Sequence, residues 1–139
     1  SLQLGDGLDF GYLDGFSFGE ALAAGPGGQP ATYRWLQGRG VIRLPLPAPL
    51  AEGAVLRLRV AGGPRGDTPL TLELGDVRLT LPIRGGEWRT YRVAVPTSLA
   101  GAQQLELHLA APTFIPVQLN PASGDARLLS VMVSDVAVE

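Results

Sequence analysis

At 139 residues the chain is about one domain long and buries a core without staples, and the absence of cysteine excludes a disulfide framework, a Cys-based zinc site and a thiol nucleophile. A formal charge of −2, with all eleven basic residues arginine and scattered singly, argues against nucleic acid, which needs concentrated positive charge. No run of about twenty apolar residues exists and the start lacks the regions of a signal peptide, so no direct membrane insertion by this segment is expected.

The first thirty residues are the least regular. Strands are expected over residues 8–12 and 16–18. Gly25-Pro26-Gly27-Gly28 reads as a loop, because no Lys-Ser/Thr and no helix start follow to hold a phosphate. A strand through Tyr33, Arg34 and Trp35 puts the two aromatics on one face and Arg34 on the other. After Val41 a period of two dominates. Leu56, Leu58 and Val60 alternate with Arg57 and Arg59, and Leu70, Leu72 and Leu74 alternate with Thr71 and Glu73. Gly75-Asp76 then links to Val77, Leu79 and Leu81, and Gly at the first turn position suits a type II′ hairpin.

Further on, Arg89, Tyr91, Val93 and Val95 share one phase, a short helix is expected over 99–103 although Gly101 weakens it, and Leu105, Leu107 and Leu109 form the next alternating run. The closing run over 128–138 is apolar on both phases, as in a central strand or at a bulge. Gly/Pro clusters punctuate these runs, there is no internal repeat, and the reading is one all-β domain over 1–139, a two-sheet antiparallel β-sandwich of jelly-roll type.

No catalytic residues are expected. His108 is the single histidine, it faces away from Leu107 and Leu109, and no Gly-x-Ser-x-Gly elbow supplies a nucleophile. Carboxylates assembled in space would leave a small glycoside hydrolase as the enzymatic alternative. Asp6, Asp9, Asp14 and Glu20 are calcium candidates, with Asp135 joining them if the terminal strands pair, or else they are solvated turn formers; no other cofactor is expected. Arg65-Gly66-Asp67 spells an adhesion tripeptide, for which an ordinary turn is the competing account. Tyr33-Arg34-Trp35 and Glu87-Trp88-Arg89-Thr90-Tyr91 set aromatic and guanidinium groups side by side, a mixture suited to stacking on sugars, unless Trp35 and Trp88 are core residues.

The segment Gly86-Glu87-Trp88-Arg89-Thr90-Tyr91-Arg92-Val93-Ala94-Val95-Pro96, followed by residues 105–109, resembles the middle of galactose-binding-like jelly-roll domains. A longer ordered set is similar to extracytoplasmic domains attached to bacterial multi-spanning glycosyltransferase-type membrane proteins. It comprises Gly15-Phe16, Glu20, Tyr33-Arg34-Trp35, Leu44-Pro45, Thr113-Phe114-Ile115-Pro116 and Asp125-Ala126-Arg127-Leu128-Leu129. The resemblance implies an extracytoplasmic location, periplasmic or at the cell surface, tethering to a membrane-embedded domain, and a setting of surface polysaccharide or lipid-linked sugar.

The resulting expectation is a non-catalytic accessory module that binds carbohydrate through Glu20, Arg34, Trp35, Trp88, Tyr91, Asp125 and Arg127. The alternative is a structural or protein-docking domain with no small ligand. For Arg34 the alternation sets two cases: if Tyr33 and Trp35 face the core, Arg34 lies outward and is free to serve a ligand; if they line a groove, Arg34 points inward and needs a carboxylate, for which Glu20 and Asp125 are the expected partners.

Overall fold

The computed structural model describes residues 2–22 and 31–139. The loop expected at Gly25-Pro26-Gly27-Gly28 lies outside them. Ten strands are described: β1 (Leu2–Gln3), β2 (Leu13–Phe16), β3 (Glu20–Leu22), β4 (Ala31–Pro45), β5 (Val55–Gly62), β6 (Thr68–Leu74), β7 (Val77–Ile83), β8 (Arg89–Ala94), β9 (Gln104–Ala110) and β10 (Val131–Val138). Every pairing between them is antiparallel.

The 15-residue strand β4 organises the sandwich, because it belongs to both leaves. Its first half pairs with β3 and β10, and the first leaf continues through β5 to β8. Its second half pairs with β2 and β9, and the second leaf continues through β6 to β7. Between the halves Gly38 has φ +90°, a conformation in which a side chain is strained. The two leaves therefore curl over one core, into which Leu56, Leu58 and Val60 project from one side and Leu72, Leu107 and Ile42 from the other, all 0% exposed. Fully burying each of these aliphatic side chains contributes about 1.5–3 kcal/mol.

The alternating runs are strands on the phases expected. Leu70, Leu72 and Leu74 are buried while Glu73 is exposed, and Leu105, Leu107 and Leu109 are buried while Glu106 and His108 are exposed. The hairpin register Leu74↔Val77 closes through Gly75 at φ +57°. The closing run is both central and bulged: β10 lies between β4 and β5, and its register slips between Val133 and Asp135, which lets Ser134 turn inward and its hydroxyl donate to the Thr32 carbonyl at 3.0 Å.

Three local expectations fail. Residues 8–12 are a turn ending in a 3₁₀ segment, Phe10–Tyr12, and not a strand, because the chain folds back to deliver the Asp9 carboxylate inward. Phe18 lies beyond the end of β2. The helix expected over 99–103 is a 3₁₀ turn, Thr97–Leu99, ended by Gly101 at φ +88°.

Candidate functional site

On β4, alternation sends Tyr33 and Trp35 to the outer face of the first leaf and Arg34 to the inner face at the margin of the core. The inward case for Arg34 thus holds, with a different partner from those expected. Its Nε donates to Asp9 Oδ2 at 2.7 Å, Nη2 to Asp9 Oδ1 at 2.9 Å and Nη1 to the Ser17 carbonyl at 2.9 Å. Asp9 is 0% exposed and also accepts from the Gly5 amide at 2.7 Å. Burial pushes the Asp9 carboxyl up, yet the Arg34 and Gly5 hydrogen bonds outweigh it and hold the group below the usual carboxylate value. Arg34 is a fork-to-fork ion-pair residue facing away from the outer aromatics.

Glu20 and Asp125 serve Arg127 instead. Arg127 Nη2 meets Asp125 Oδ2 at 2.7 Å and its Nε meets Oδ1 at 3.0 Å, and the Arg127 amide also donates to Oδ1. Arg127 holds the Asp125 carboxyl down to about 2. An NMR titration of the Asp125 side chain is expected to have its midpoint near that value, and Arg127→Ala to return it towards the ordinary 3.8. On its other side Arg127 Nη1 faces Glu20 Oε2 at 3.7 Å, within ion-pair distance but too far for a hydrogen bond, and among the described residues neither atom has a hydrogen-bond partner. The guanidinium also stacks on Phe18, 4.7 Å from the ring centre, and Phe18 is 64% exposed.

The aromatic ladder runs beside this cluster. Tyr33 meets Trp88 edge-on at 5.7 Å and Trp35 at 6.4 Å, Trp35 meets Phe114 at 5.6 Å, and Arg59 lies 5.5 Å from the Trp88 ring. Trp35 is buried with Phe114 and Leu129 in a second small core outside the first leaf, closed where Phe114 and Leu129 exchange backbone hydrogen bonds of 2.7 and 2.9 Å. It is a packing residue and not a surface contact. Trp88 and Tyr33 are half-buried. Tyr91 belongs elsewhere: it lies opposite Leu58, packs on the main core, and its hydroxyl donates to the Pro82 carbonyl at 3.1 Å.

Five of the seven expected residues, Glu20, Trp35, Trp88, Asp125 and Arg127, thus sit around the outer face of the first leaf, and Arg34 and Tyr91 do not. Phe18, Tyr33 and Arg59 join them; Tyr33 was visible as the partner of Trp35 in a period-two strand.

The calcium candidates are drawn to separate partners: Asp6 to the Leu8 amide, Asp9 to Arg34, Asp14 to Arg43 and Glu20 towards Arg127. Asp135 is engaged by Arg57 at 3.2 Å. Among the described residues no group of three or more His, Cys, Asp or Glu side chains is placed to hold a metal ion. In the tripeptide, Arg65 donates to the Thr113 carbonyl at 2.7 Å and Asp67 accepts from the Gly85 amide at 3.0 Å, so both polar ends tie the loop down.

No family model and no curated protein matches the chain. Solved structures do. The CBM22-2 xylan-binding domain from Paenibacillus barcinonensis Xyn10C is similar over 98% of this chain and 95% of that one, with TM-score 0.51 and 13% identity. An exo-beta-agarase matches over 92% of this chain with TM-score 0.56 and 12% identity. The CBM22-1-GH10 modules of a Clostridium thermocellum endo-1,4-beta-D-xylanase, complexed with xylohexaose, match over 91% with TM-score 0.52 and 11% identity. The chain spans only 23% and 25% of the latter two. At these identities the likeness is one of fold, and it places the chain among β-sandwich domains of jelly-roll type.

Proposed function

We propose that the chain is a non-catalytic carbohydrate-binding accessory module of an extracytoplasmic bacterial cell-surface or membrane protein, with its ligand on the outer face of the first leaf. One observation carries the reading: the half-buried Tyr33–Trp88 pair lies on the same face as a guanidinium and a carboxylate that face each other 3.7 Å apart without a hydrogen bond. A sugar hydroxyl is the group that donates to Glu20 and accepts from Arg127 at once, while the flat C–H face of the ring stacks on an aromatic side chain. Glu20 Oε2 and Arg127 Nη1 are both buried, so a hydroxyl reaches them only if Phe18, stacked over Arg127 and 64% exposed, moves aside.

The fold likeness supports the reading, since the neighbours include a xylan-binding domain and modules complexed with xylohexaose. The resemblance to domains of glycosyltransferase-type membrane proteins supports a location outside the cytoplasm and a membrane tether elsewhere in the protein. No described helix is long and apolar enough to cross a membrane.

The experiment is a glycan array followed by calorimetry on residues 1–139. Trp88→Ala is expected to weaken the bound glycan by about tenfold or more, as for an aromatic anchor at a binding surface. A chain that binds no glycan sinks the proposal.

A second reading has one observation in its favour. Leu119 and Leu128, 53% and 51% exposed, flank an open cleft with Phe114 and Ile115, a surface suited to docking a protein. If docking is the role, Leu128→Ser abolishes pull-down of a cell-envelope partner while Trp88→Ala leaves it unchanged.

A further inference from the structure

The outer face of the second leaf carries its own groove, about 290 Å³, running from β2 across β4, β9 and β6 to β7. Register builds it in two rows. In one, Asp14 lies opposite Val41, Val41 opposite His108, His108 opposite Glu73 and Glu73 opposite Arg78. In the other, Arg39 lies opposite Ala110, Ala110 opposite Thr71 and Thr71 opposite Thr80. Facing residues in such rows stand on the same side of the sheet, and four strand spacings of about 4.8 Å make the groove about 19 Å long. Val41 and Ala110 form an apolar floor between polar walls, a shape that takes an extended chain of polar units.

The charges of the groove are matched except at one place. Asp14 pairs with Arg43 at 3.0 Å and Glu73 with Arg78 at 3.6 Å, while Glu106, outside the groove lining, shares a hydrogen bond of 2.8 Å with His108 Nε2. Arg39 is exposed at the groove and, among the described residues, has no carboxylate within ion-pair distance. A second open cleft, containing Gln37 and Thr113, continues past the same Arg39, Thr71 and Arg78, so the unmatched guanidinium stands midway along the combined surface. Among the described residues no Phe, Tyr or Trp lines either part, which separates this face chemically from the Tyr33–Trp88 face.

We propose that this groove is a second binding site, selective for acidic saccharides, in which Arg39 reads a carboxylate or sulfate on the sugar chain. The inference rests on the carbohydrate reading for the class of ligand, and locates the site and its charge preference independently. The planar guanidinium matches a carboxylate bidentately, whereas an ammonium binds as a point charge, so Lys at the same position retains attraction and loses the fork. Thr71 remains available to a sugar hydroxyl along the row.

The test is calorimetry on residues 1–139 with three probes: a neutral xylo-oligosaccharide, an oligogalacturonate and a sulfated galactan oligosaccharide. The groove is expected to bind at least one acidic probe, and Arg39→Gln to weaken it by about tenfold or more, the usual loss for a hydrogen bond to a charged group. Arg39→Lys is expected to fall between the two, and rising NaCl to weaken binding because the charge is exposed. Arg92→Gln removes another exposed arginine, from the other leaf, where it pairs with Glu139, and is expected to leave acidic binding intact. Preference for the uronate or for the sulfate identifies the anion. Neutral binding with no acidic binding, or acidic binding that Arg39→Gln leaves unchanged, overturns the inference and leaves the carbohydrate reading standing. Binding of no probe overturns both.

Discussion

Arg34→Ala is expected to lower folding stability by about 3–5 kcal/mol, because it leaves the Asp9 carboxylate, which is 0% exposed, without its counter-ion. For a chain of this length that is a melting shift of roughly 10–20 °C. Truncation also removes the donor to the Ser17 carbonyl, loosening the segment that leads from β2 to β3. Acid supplies the diagnostic. In the native protein the Asp9 carboxyl is held below the unfolded value of about 3.9, so its contribution is complete above that pH and is lost as pH falls through the folded value. In Arg34→Ala the dominant remaining influence is burial, which raises the carboxyl. The variant then binds a proton on folding and regains stability as pH falls from 7 towards 4, a range over which the parent's Asp9 contribution is constant and below which it is lost. Thermal melts of both proteins across pH 3–7 measure this. A melting temperature unchanged in Arg34→Ala, together with lost glycan binding, would make Arg34 a ligand contact and the structural assignment wrong.

What alternation could show, it showed: strand phases, the Gly75 hairpin and the core leucines follow from a period of two, because each strand has one dry face and one wet one. The same period separates the candidate site residues. Trp88 lies just before β8 and Tyr91 three residues on within it, and Arg34 and Trp35 are neighbours on β4, so an extended backbone sends the members of each pair to opposite faces. The motifs that group them in sequence conceal this. Tyr91 and Arg34 accordingly face the interior while Trp88 lies on the outer leaf.

The Asp9–Arg34 pair was not legible for a different reason. Asp9 sits among Asp-Gly turn formers, and nothing local marks it as a partner 25 residues from Arg34. Only the return of the first segment over the inner margin of β4 brings them together. The condition on Arg34, that an inward guanidinium must meet a carboxylate, followed from desolvation alone; which carboxylate depended on tertiary folding. Glu20, Asp125 and Arg127 did come together, with the ion pair centred on Arg127. The groove on the second leaf was invisible for want of register: Arg39, Thr71, Arg78 and His108 are ordinary outward residues until the strand order sets them side by side.

Gly15→Ala is expected to destabilise by about 2–5 kcal/mol, the sum of a left-handed backbone forced on a side chain and an overpacked contact. Gly15 has φ +79°, and a Cβ there would lie 2.1 Å from the Arg39 carbonyl oxygen and 2.8 Å from Gly40 Cα, both backbone atoms that no rotamer change can move aside. The position matters because β2 crosses the bend of β4 at this point: Asp14 pairs with Val41, yet Phe16 already pairs with Leu36, so two residues of β2 span five of β4. Gly15 is the close approach that makes the short cut fit. Gly53→Ala separates the two costs, since Gly53 has φ +78° with nothing within 4 Å of its Cβ, and only the backbone term of about 1–2 kcal/mol applies there. Urea unfolding of the two variants measures the difference. If Gly15→Ala is no less stable than Gly53→Ala, β2 is not clamped against the bend. If it is less stable by the expected margin, the contact that joins the two halves of β4 is the one that also sets the backbone from which Arg39 projects.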